Sequence, residues 1–208
     1  MKILIAQPKL EKNLVQLLTI MQENPSVDIV IFPEGYLNDN VSEACSLAQS
    51  YNTIIISGYR KPLERPKDQA VMINREGELV IDRAKYSNTS FTREEGLNIG
   101  HILCDELILQ GLKGAQEKAI DLIVHPIGVG MFSQEQFDQW IDEARKIAIT
   151  HETMIIGTSH ADGSFRDSDI SIPIAYCVDK YGNDVFIANN DVRTRILELE
   201  TQQVWILS

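Results

Sequence analysis

The segment DIVIFP at residues 28–33 decides the fold, because the chain contains a second version of it, DLIVHP at residues 121–126. In both versions an aspartate precedes a run of apolar residues and a proline closes the segment. Apolar runs of this kind are typical of strands that are covered on both faces of their sheet. Many α/β proteins contain such runs, but the coincidence of aspartate, apolar run and proline predicts two equivalent halves.

The elements around the two segments occur in the same order in both halves. In each half we predict a strand, a helix, the quoted strand, a second helix, a further apolar strand and a hairpin. The predicted ranges are 2–6, 10–21, 28–33, 41–51, 53–57 and 70–83 in the first half, and 98–103, 106–119, 121–126, 134–151, 153–157 and 175–185 in the second. Strands covered on both sides predict two sheets packed face to face with the helices outside.

Length and charge bound the class of protein. The chain has 208 residues, with 44% hydrophobic and 24% charged residues, which predicts a single globular domain over residues 1–208. Its 19 basic and 30 acidic residues give a net charge of −11. Because an acidic surface repels phosphate backbones and anionic lipids, we expect neither nucleic acid nor membrane as a partner.

The cysteines and the amino-terminal segment indicate a cytoplasmic protein without a bound metal. The apolar run in MKILIAQPKLEKN is shorter than a secretory signal requires, and no run is long enough to span a bilayer. Cys45, Cys104 and Cys177 are scattered singly, which favours reduced thiols over a disulfide framework. The spacing of a zinc site is absent from the cysteines and histidines.

Three polar residues follow predicted strands. Glu34 comes after the strand at 28–33, Lys85 follows the second strand of the first hairpin, and Cys104 ends the strand at 98–103. In sheets covered by helices, side chains at the carboxyl ends of strands line the usual crevice, so we expect these three to share one site.

Together the three residues form a chemically coherent set for acyl transfer. A thiol is mostly protonated at neutral pH and needs a base or a cation before it can act as a nucleophile. Glu34 would accept the thiol proton, and Lys85 would stabilise the thiolate and the oxyanion. The backbone N–H of Asp105 would share that second role. By spacing alone each residue also has an ordinary explanation, as a core cysteine, a loop glutamate and a surface lysine.

The segments IVIFPEG (29–35), RAKYS (83–87) and IGHILCDEL (99–107) resemble, in this order, the three signature segments of the nitrilase, or carbon–nitrogen hydrolase, superfamily. The resemblance extends over essentially the whole chain. It implies a four-layer α-β-β-α sandwich, with Glu34 as general base, Lys85 as oxyanion stabiliser and Cys104 as nucleophile. It also implies a small amide-like substrate, no cofactor and a homodimer.

The chain departs from the family pattern between Lys85 and Cys104, where the segment is short. Many members carry a second glutamate there, for which Glu94 and Glu95 are the candidates, and we assign Glu95. The residue after the cysteine is usually aromatic, whereas here Asp105 and Glu106 follow it. An additional anion beside the nucleophile would raise the pKa of the thiol and oppose its activation.

Three further residues are candidates for the pocket. Tyr36 and Phe132 follow strand ends and would shape the substrate slot, unless they serve ordinary surface packing. His125 occupies the place of Phe32 in the second half, and it would either line the pocket or be a satisfied, half-buried histidine.

Two functions from different classes remain open. The first is an amidase-like hydrolase whose substrate is an amide, a nitrile or a carbamoyl compound. The second is a protein of the same fold without turnover, which would serve as a small-molecule-binding or regulatory subunit. A glutamine amidotransferase domain and a nucleotide-binding fold are disfavoured, because the nucleophile elbow of the first and the glycine-rich loops of the second are missing.

Overall fold

The computed structural model describes residues 1–88, 90–113, 119–165 and 168–207. Its first half contains the following elements: β1 Lys2–Ile5, α1 Val15–Glu23, β2 Ile29–Ile31, α2 Val41–Tyr51, β3 Ile54–Arg60, β4 Asp68–Ile73 and β5 Leu79–Ala84. The remainder contains β6 Ser90–Glu94, β7 Leu97–His101, α3 Glu106–Leu109, β8 Leu122–Ile127, α4 Gln134–Thr150, β9 Met154–Ser159, β10 Ile174–Val178, β11 Asp184–Asn189, β12 Arg195–Glu198 and β13 Val204–Ile206.

The strands form two sheets with matching topology. The first sheet has the order β13-β12-β1-β2-β3-β4-β5, and the second has the order β11-β10-β9-β8-β7-β6. In the first sheet β1, β2 and β3 are parallel and are followed by the antiparallel strands β4 and β5. The strands β7, β8 and β9 repeat this arrangement and are followed by β10 and β11. The predicted pair of similar halves is confirmed.

Three apolar layers hold four layers of secondary structure together. Ile29 and Ile31 of β2 point between the two sheets, where they join residues of the second sheet such as Val124. Val30, between them in sequence, packs on the other face with residues of α1 and α2. The second sheet packs α4 in the same way, for example through Trp140. Because neighbouring side chains of β2 are buried on opposite faces, the strand must be apolar throughout.

The helix predicted over residues 106–119 is much shorter in the structure. It begins at Glu106 but ends at Leu109, and its residues 114–118 lie outside the described part of the chain. The connection between residues 86 and 97, where the sequence predicts no strand, contains the edge strand β6, which pairs with β7. β6 has no apolar run to reveal it. The short strands β12 and β13 extend the first sheet beside β1 and were also not predicted.

Candidate active site

Glu34, Lys85 and Cys104 meet between the two sheets. Glu34 follows the carboxyl end of β2, Lys85 follows β5 directly, and Cys104 lies in the loop between β7 and α3. The Lys85 Nζ atom is 2.9 Å from Glu34 Oε1, and the Cys104 thiol donates a hydrogen bond to the Glu34 carboxylate. The three residues are only 5%, 7% and 8% exposed. The predicted trio is therefore assembled in one buried cluster.

The backbone of Cys104 has an unusual conformation that its neighbours fix. Its φ of +50° lies in the left-handed region, which residues other than glycine rarely adopt. The Cys104 N–H donates to the Pro126 carbonyl at 2.9 Å, and His125 Nε2 lies 2.8 Å from the Cys104 carbonyl oxygen. His125 Nδ1 lies 2.6 Å from the Tyr176 hydroxyl. Since a carbonyl only accepts, we assign the imidazole proton to Nε2 and let Nδ1 accept from Tyr176.

The segment after β8 packs tightly against the trio. The Gly128 N–H donates a hydrogen bond to the Cys104 thiol. A Cβ atom at Gly128 would lie 2.5 Å from Glu34 Oε2, so a side chain at this position would displace the carboxylate. On the far side, His160 Nε2 lies 3.2 Å from the Glu34 carbonyl oxygen. Glu34 is therefore held through its main chain and confined by a glycine.

A buried ion pair anchors the loop that carries Cys104. Arg83 Nη1 and Nη2 each lie 2.7 Å from one carboxylate oxygen of Glu106. The same carboxylate accepts the Leu103 N–H at 2.7 Å and the Tyr86 N–H at 2.6 Å. Glu106 was predicted as an anion that opposes the nucleophile, but Arg83 neutralises it. Its role in the structure is to join the cysteine loop to the end of β5.

The electrostatics of the cluster keep the resting thiol protonated. Burial, and next the charge of Glu34, raise the pKa of Cys104 well above its usual value, against the opposing effects of Lys85 and the Gly128 N–H. Burial also raises the pKa of Glu34, although Lys85 opposes this shift. Burial alone would lower the pKa of Lys85, but Cys104, Glu34 and Asp105 outweigh it and raise that pKa. Lys85 therefore remains a cation, and the proton of the thiol faces a carboxylate that can accept it.

Asp105 contacts Lys85 through its side chain. Its Oδ1 atom is 2.7 Å from Lys85 Nζ, and its two carboxylate oxygens accept from the Tyr86 hydroxyl at 3.1 and 2.9 Å. The Asp105 N–H has no hydrogen-bond acceptor among the described residues. It is the N–H that the sequence predicts as a donor to an oxyanion. The Asp105 carboxylate makes a minor contribution that raises the pKa of the Cys104 thiol.

A cavity of about 480 Å³ opens onto the trio. Its described lining combines the trio with further polar and apolar side chains, namely Arg60, Tyr86, Asp105, Gln136, Val129, Met131, Phe132, Trp140 and Phe165. The structure thus places Phe132 and Asp105 on the wall, as predicted. Arg60 was missed, although its place at the end of β3 matches that of Glu34 after β2. Trp140 and Gln136 were hidden in the helical pattern of α4.

The structure corrects the predictions for Tyr36 and His125, neither of which lines this cavity. Tyr36 is buried under α1, where its hydroxyl hydrogen-bonds the Glu11 carboxylate and accepts the Leu17 N–H at 3.1 Å. The turn at Gly35 directs the tyrosine to the helix layer instead of the site. His125 lies fully buried behind Cys104, as its main-chain hydrogen bond requires.

The prediction of Glu95 as a second glutamate of the site is wrong. Its Oε1 atom is 3.0 Å from Arg75 Nε, and Arg75 also pairs with Asp28 at 2.8 Å. Asp28 precedes β2, whereas Glu34 follows it, so this ion-pair cluster lies at the opposite end of the strands. Glu94 lies in the same region and accepts from Thr92. The physical reason is that the turn at residues 95–96 comes before β7, and Cys104 comes after it.

The described residues include no group of three or more histidine, cysteine or acidic side chains arranged to hold a metal ion. In the same part of the chain, no helix combines the length and the apolar character that crossing a membrane would require.

Comparisons with known proteins identify the fold. No protein-family model matches the chain, and a comparison with curated proteins gives no match. Solved structures match over nearly the whole chain. A carbon–nitrogen hydrolase from Helicobacter pylori is 12% identical, with a TM-score of 0.71 over 97% of this chain and 90% of that one. A CN-hydrolase superfamily protein from Xanthomonas campestris, which carries an arsenic adduct in its active site, is 11% identical, with a TM-score of 0.76 over 100% and 90%.

A third match is an amidase from Nesterenkonia sp. AN1, a member of the nitrilase superfamily. It is 10% identical, with a TM-score of 0.75 over 95% of this chain and 92% of that one. A variant of that amidase carries a covalent acetamide group on its active-site cysteine. The chain therefore has the α-β-β-α sandwich fold of nitrilase-type carbon–nitrogen hydrolases, as the sequence predicted.

Proposed function

We propose that the protein hydrolyses the carbon–nitrogen bond of a small amide through an acyl-thioester on Cys104. The observation that carries the proposal is the buried Lys85–Glu34 ion pair, 2.9 Å long, against the Cys104 thiol at the base of a cavity. A nucleophile, a proton acceptor and a fixed cation are the parts that acyl transfer requires. The amidase from Nesterenkonia supports the proposal, because it shares the fold and its cysteine forms covalent adducts.

Acylation begins with the substrate carbonyl carbon beside the Cys104 sulfur. The sulfur attacks this carbon while its proton moves to Glu34, which solves the problem posed by the raised pKa of the thiol. The carbonyl oxygen becomes an oxyanion, for which the Lys85 ammonium and the unpaired Asp105 N–H are the available donors. Glu34 then returns the proton to the leaving nitrogen, the carbon–nitrogen bond breaks and ammonia departs.

Deacylation uses the same groups with water as the nucleophile. Glu34 accepts a proton from the water as its oxygen bonds to the thioester carbon. The new oxyanion meets the same two donors, the carbon–sulfur bond breaks, and the proton on Glu34 returns to the sulfur. The products are a carboxylic acid and the free enzyme, and neither step requires a cofactor.

The test is ammonia release from a panel of short-chain amides by the wild type and by Cys104→Ala, Glu34→Gln and Lys85→Ala. We expect each variant to keep its fold, measured by circular dichroism, and to lose turnover. Intact-protein mass spectrometry of the wild type should detect an acyl adduct that Cys104→Ala lacks. Cys45→Ser, which changes a thiol on α2, is the matched control and should behave as the wild type does. Near wild-type turnover in any of the three variants would refute the trio.

The alternative is a small-molecule-binding protein of the same fold without turnover. The raised pKa of the Cys104 thiol favours it, because a thiol that stays protonated is a poor nucleophile. Amide binding by the wild type, seen by calorimetry without ammonia release or an acyl adduct, would establish this alternative.

A further inference from the structure

We propose that Asp105 is the positioning residue for Lys85, which holds the ammonium in place while the charge on Glu34 changes during the reaction. The inference rests on the proposed function and deepens it. It is carried by the 2.7 Å contact between Asp105 Oδ1 and Lys85 Nζ, together with the 2.9 Å contact of the same ammonium with Glu34.

The geometry of an ammonium group explains why two acidic partners are needed. Lysine has three N–H donors in a tetrahedral arrangement on a flexible stem, so a single contact leaves the group free to rotate. Glu34 and Asp105 both lie within ion-pair distance of the Lys85 ammonium and thereby restrict its position. At 8% side-chain exposure, Lys85 has little solvent with which to replace either partner.

The proposed reaction removes one of the two partners in every half-reaction. When Glu34 takes the proton of the thiol or of the water, its carboxylate becomes neutral, and its attraction for Lys85 weakens as the oxyanion forms. Asp105 takes no part in that proton transfer, so the reaction leaves its contact with Lys85 unchanged. It therefore provides the constant anion beside Lys85 through the tetrahedral intermediate, when the position of the ammonium matters most.

Asp105 is itself held in place. Its carboxylate accepts the Tyr86 hydroxyl at both oxygens, and Tyr86 follows Lys85 directly in the chain. Its main chain continues into Glu106, which the buried pair with Arg83 anchors. Among the described residues, Glu34 and Asp105 are the acids that contact Lys85 Nζ within ion-pair distance. Asp105, directly after Cys104 in the chain, thus contacts Lys85. Glu94 and Glu95 make their contacts elsewhere, with Thr92 and Arg75.

The experiment compares Asp105→Asn, Asp105→Glu and Tyr86→Phe with the wild type on an amide that the wild type hydrolyses. We expect Asp105→Asn to lower kcat by about 10²-fold, since misplacement of a catalytic group by about 1 Å has effects of this size. KM should change little, because Asp105 positions Lys85 for the oxyanion of the tetrahedral intermediate and not for binding of the unreacted substrate. Asp105→Glu should recover part of kcat, and Tyr86→Phe should have a smaller effect than Asp105→Asn.

Asp142→Asn is the matched control. It removes the same charge from an exposed pair on α4, where Arg145 keeps its second partner, Asp184. This variant should retain the kcat of the wild type. The positioning role would be overturned if Asp105→Asn lost kcat because it was partly unfolded at the assay temperature and if Asp105→Glu recovered none of the lost kcat.

The outcomes separate this inference from the proposed function. If Asp105→Asn keeps kcat within about twofold of the wild type while Cys104→Ala, Glu34→Gln and Lys85→Ala are inactive, the function stands and the inference is wrong. If the wild type hydrolyses no amide, the proposed function fails and the inference, which rests on it, fails as well.

Discussion

Gly128 approaches the carboxylate of Glu34 so closely that a methyl group at this glycine would stand 2.5 Å from Glu34 Oε2. The same residue donates its N–H to the Cys104 thiol. One glycine therefore contacts both Glu34 and Cys104, and its lack of a side chain is what permits its close approach to the carboxylate. A glycine of the cavity lining can thus control the geometry of the trio.

The first prediction concerns this glycine. Gly128→Ala should lower kcat/KM on an amide substrate by about 10²-fold, because the new methyl group must displace Glu34 from the thiol. Gly100→Ala is the control, since the atoms nearest to its Cβ would be side-chain carbons of Leu112 and Phe91, at 3.2 Å. Steady-state ammonia release measures both. If Gly128→Ala were as active as Gly100→Ala, the close packing around Glu34 would not matter for turnover.

The second prediction concerns His125, which holds the left-handed backbone of Cys104 from behind. His125→Leu removes the donor to the Cys104 carbonyl. We expect kcat to fall by about tenfold or more, because the Cys104 thiol would then be misplaced relative to the substrate. His125→Gln keeps an N–H donor near the position of Nε2 and should be less impaired. Tyr176→Phe tests the assigned tautomer, because without the tyrosine proton Nδ1 loses its donor. Equal activity in the Leu and Gln variants would contradict the role of the hydrogen bond.

The third prediction concerns the ion pair between Arg83 and Glu106. Arg83→Met should lower the free energy of unfolding by about 3–5 kcal/mol, because it leaves a buried carboxylate without its cation. Glu106→Gln in the same chain should restore part of that loss. Urea denaturation of the two single variants and the double variant gives the coupling energy. Additive effects would show that the two side chains do not act as a pair.

The fourth prediction is a loss of stability in mild acid. Burial lowers the pKa of His101 to about 3 and the pKa values of His125 and His160 to about 4. Unfolded histidines titrate near pH 6.5, so between about pH 6.5 and 4 the unfolded chain binds more protons than the folded one. The contribution of these histidines to the free energy of unfolding should therefore be fully present above this window. It should fall as the pH drops through the window, by on the order of 3 kcal/mol per histidine.

Urea midpoints measured at pH 7.5, 6 and 5 test this dependence. The carboxyls of Glu34 and Glu94, whose pKa values burial raises, act in the opposite direction, but they are two groups against four histidines, since burial also lowers the pKa of His151. His160→Gln should reduce the slope of stability against pH, and His151→Gln, at a half-buried position, should reduce it less. A stability that stays constant down to pH 5 would contradict the buried, neutral state of these histidines.

The fifth prediction is a homodimer, which follows from the resemblance to hydrolases whose sandwiches commonly pair. Light scattering at micromolar concentration should give about twice the chain mass of 23.5 kDa. A mass that equals one chain over the whole concentration range would exclude the dimer.

The sequence was sufficient to predict that Glu34, Lys85 and Cys104 lie together and that the chain has two similar halves, because both depend on strands. Apolar runs place Glu34, Lys85 and Cys104 after strand ends, and the topology of parallel strands then brings such ends together. It failed for Glu95, because a short segment between a lysine and a cysteine does not reveal that it folds as a hairpin. That hairpin places its turn, and with it Glu95, at the far end of the sheet.

Other failures have a common physical cause, which is that side-chain direction is set by turns. Tyr36 follows a strand end just as Glu34 does, yet Gly35 has a φ of +74° and sends the two side chains to different layers. His125 ends its strand in the position of Phe32, and whether it faces the cavity or the nucleophile's backbone depends on the path of the neighbouring loop. Asp105 looked unfavourable beside a thiol, because its proximity to Lys85 appears only in three dimensions.

The two equivalent strand segments have different roles at the site. Aligned without gaps, DIVIFPEG at residues 28–35 and DLIVHPIG at residues 121–128 place Glu34 opposite Ile127 and Gly35 opposite Gly128. The first copy supplies the acid, and the glycine of the second copy supplies the space into which that acid fits. Equivalent positions in the two halves therefore have different roles. A substitution that one segment tolerates need not be tolerated at the equivalent position of the other.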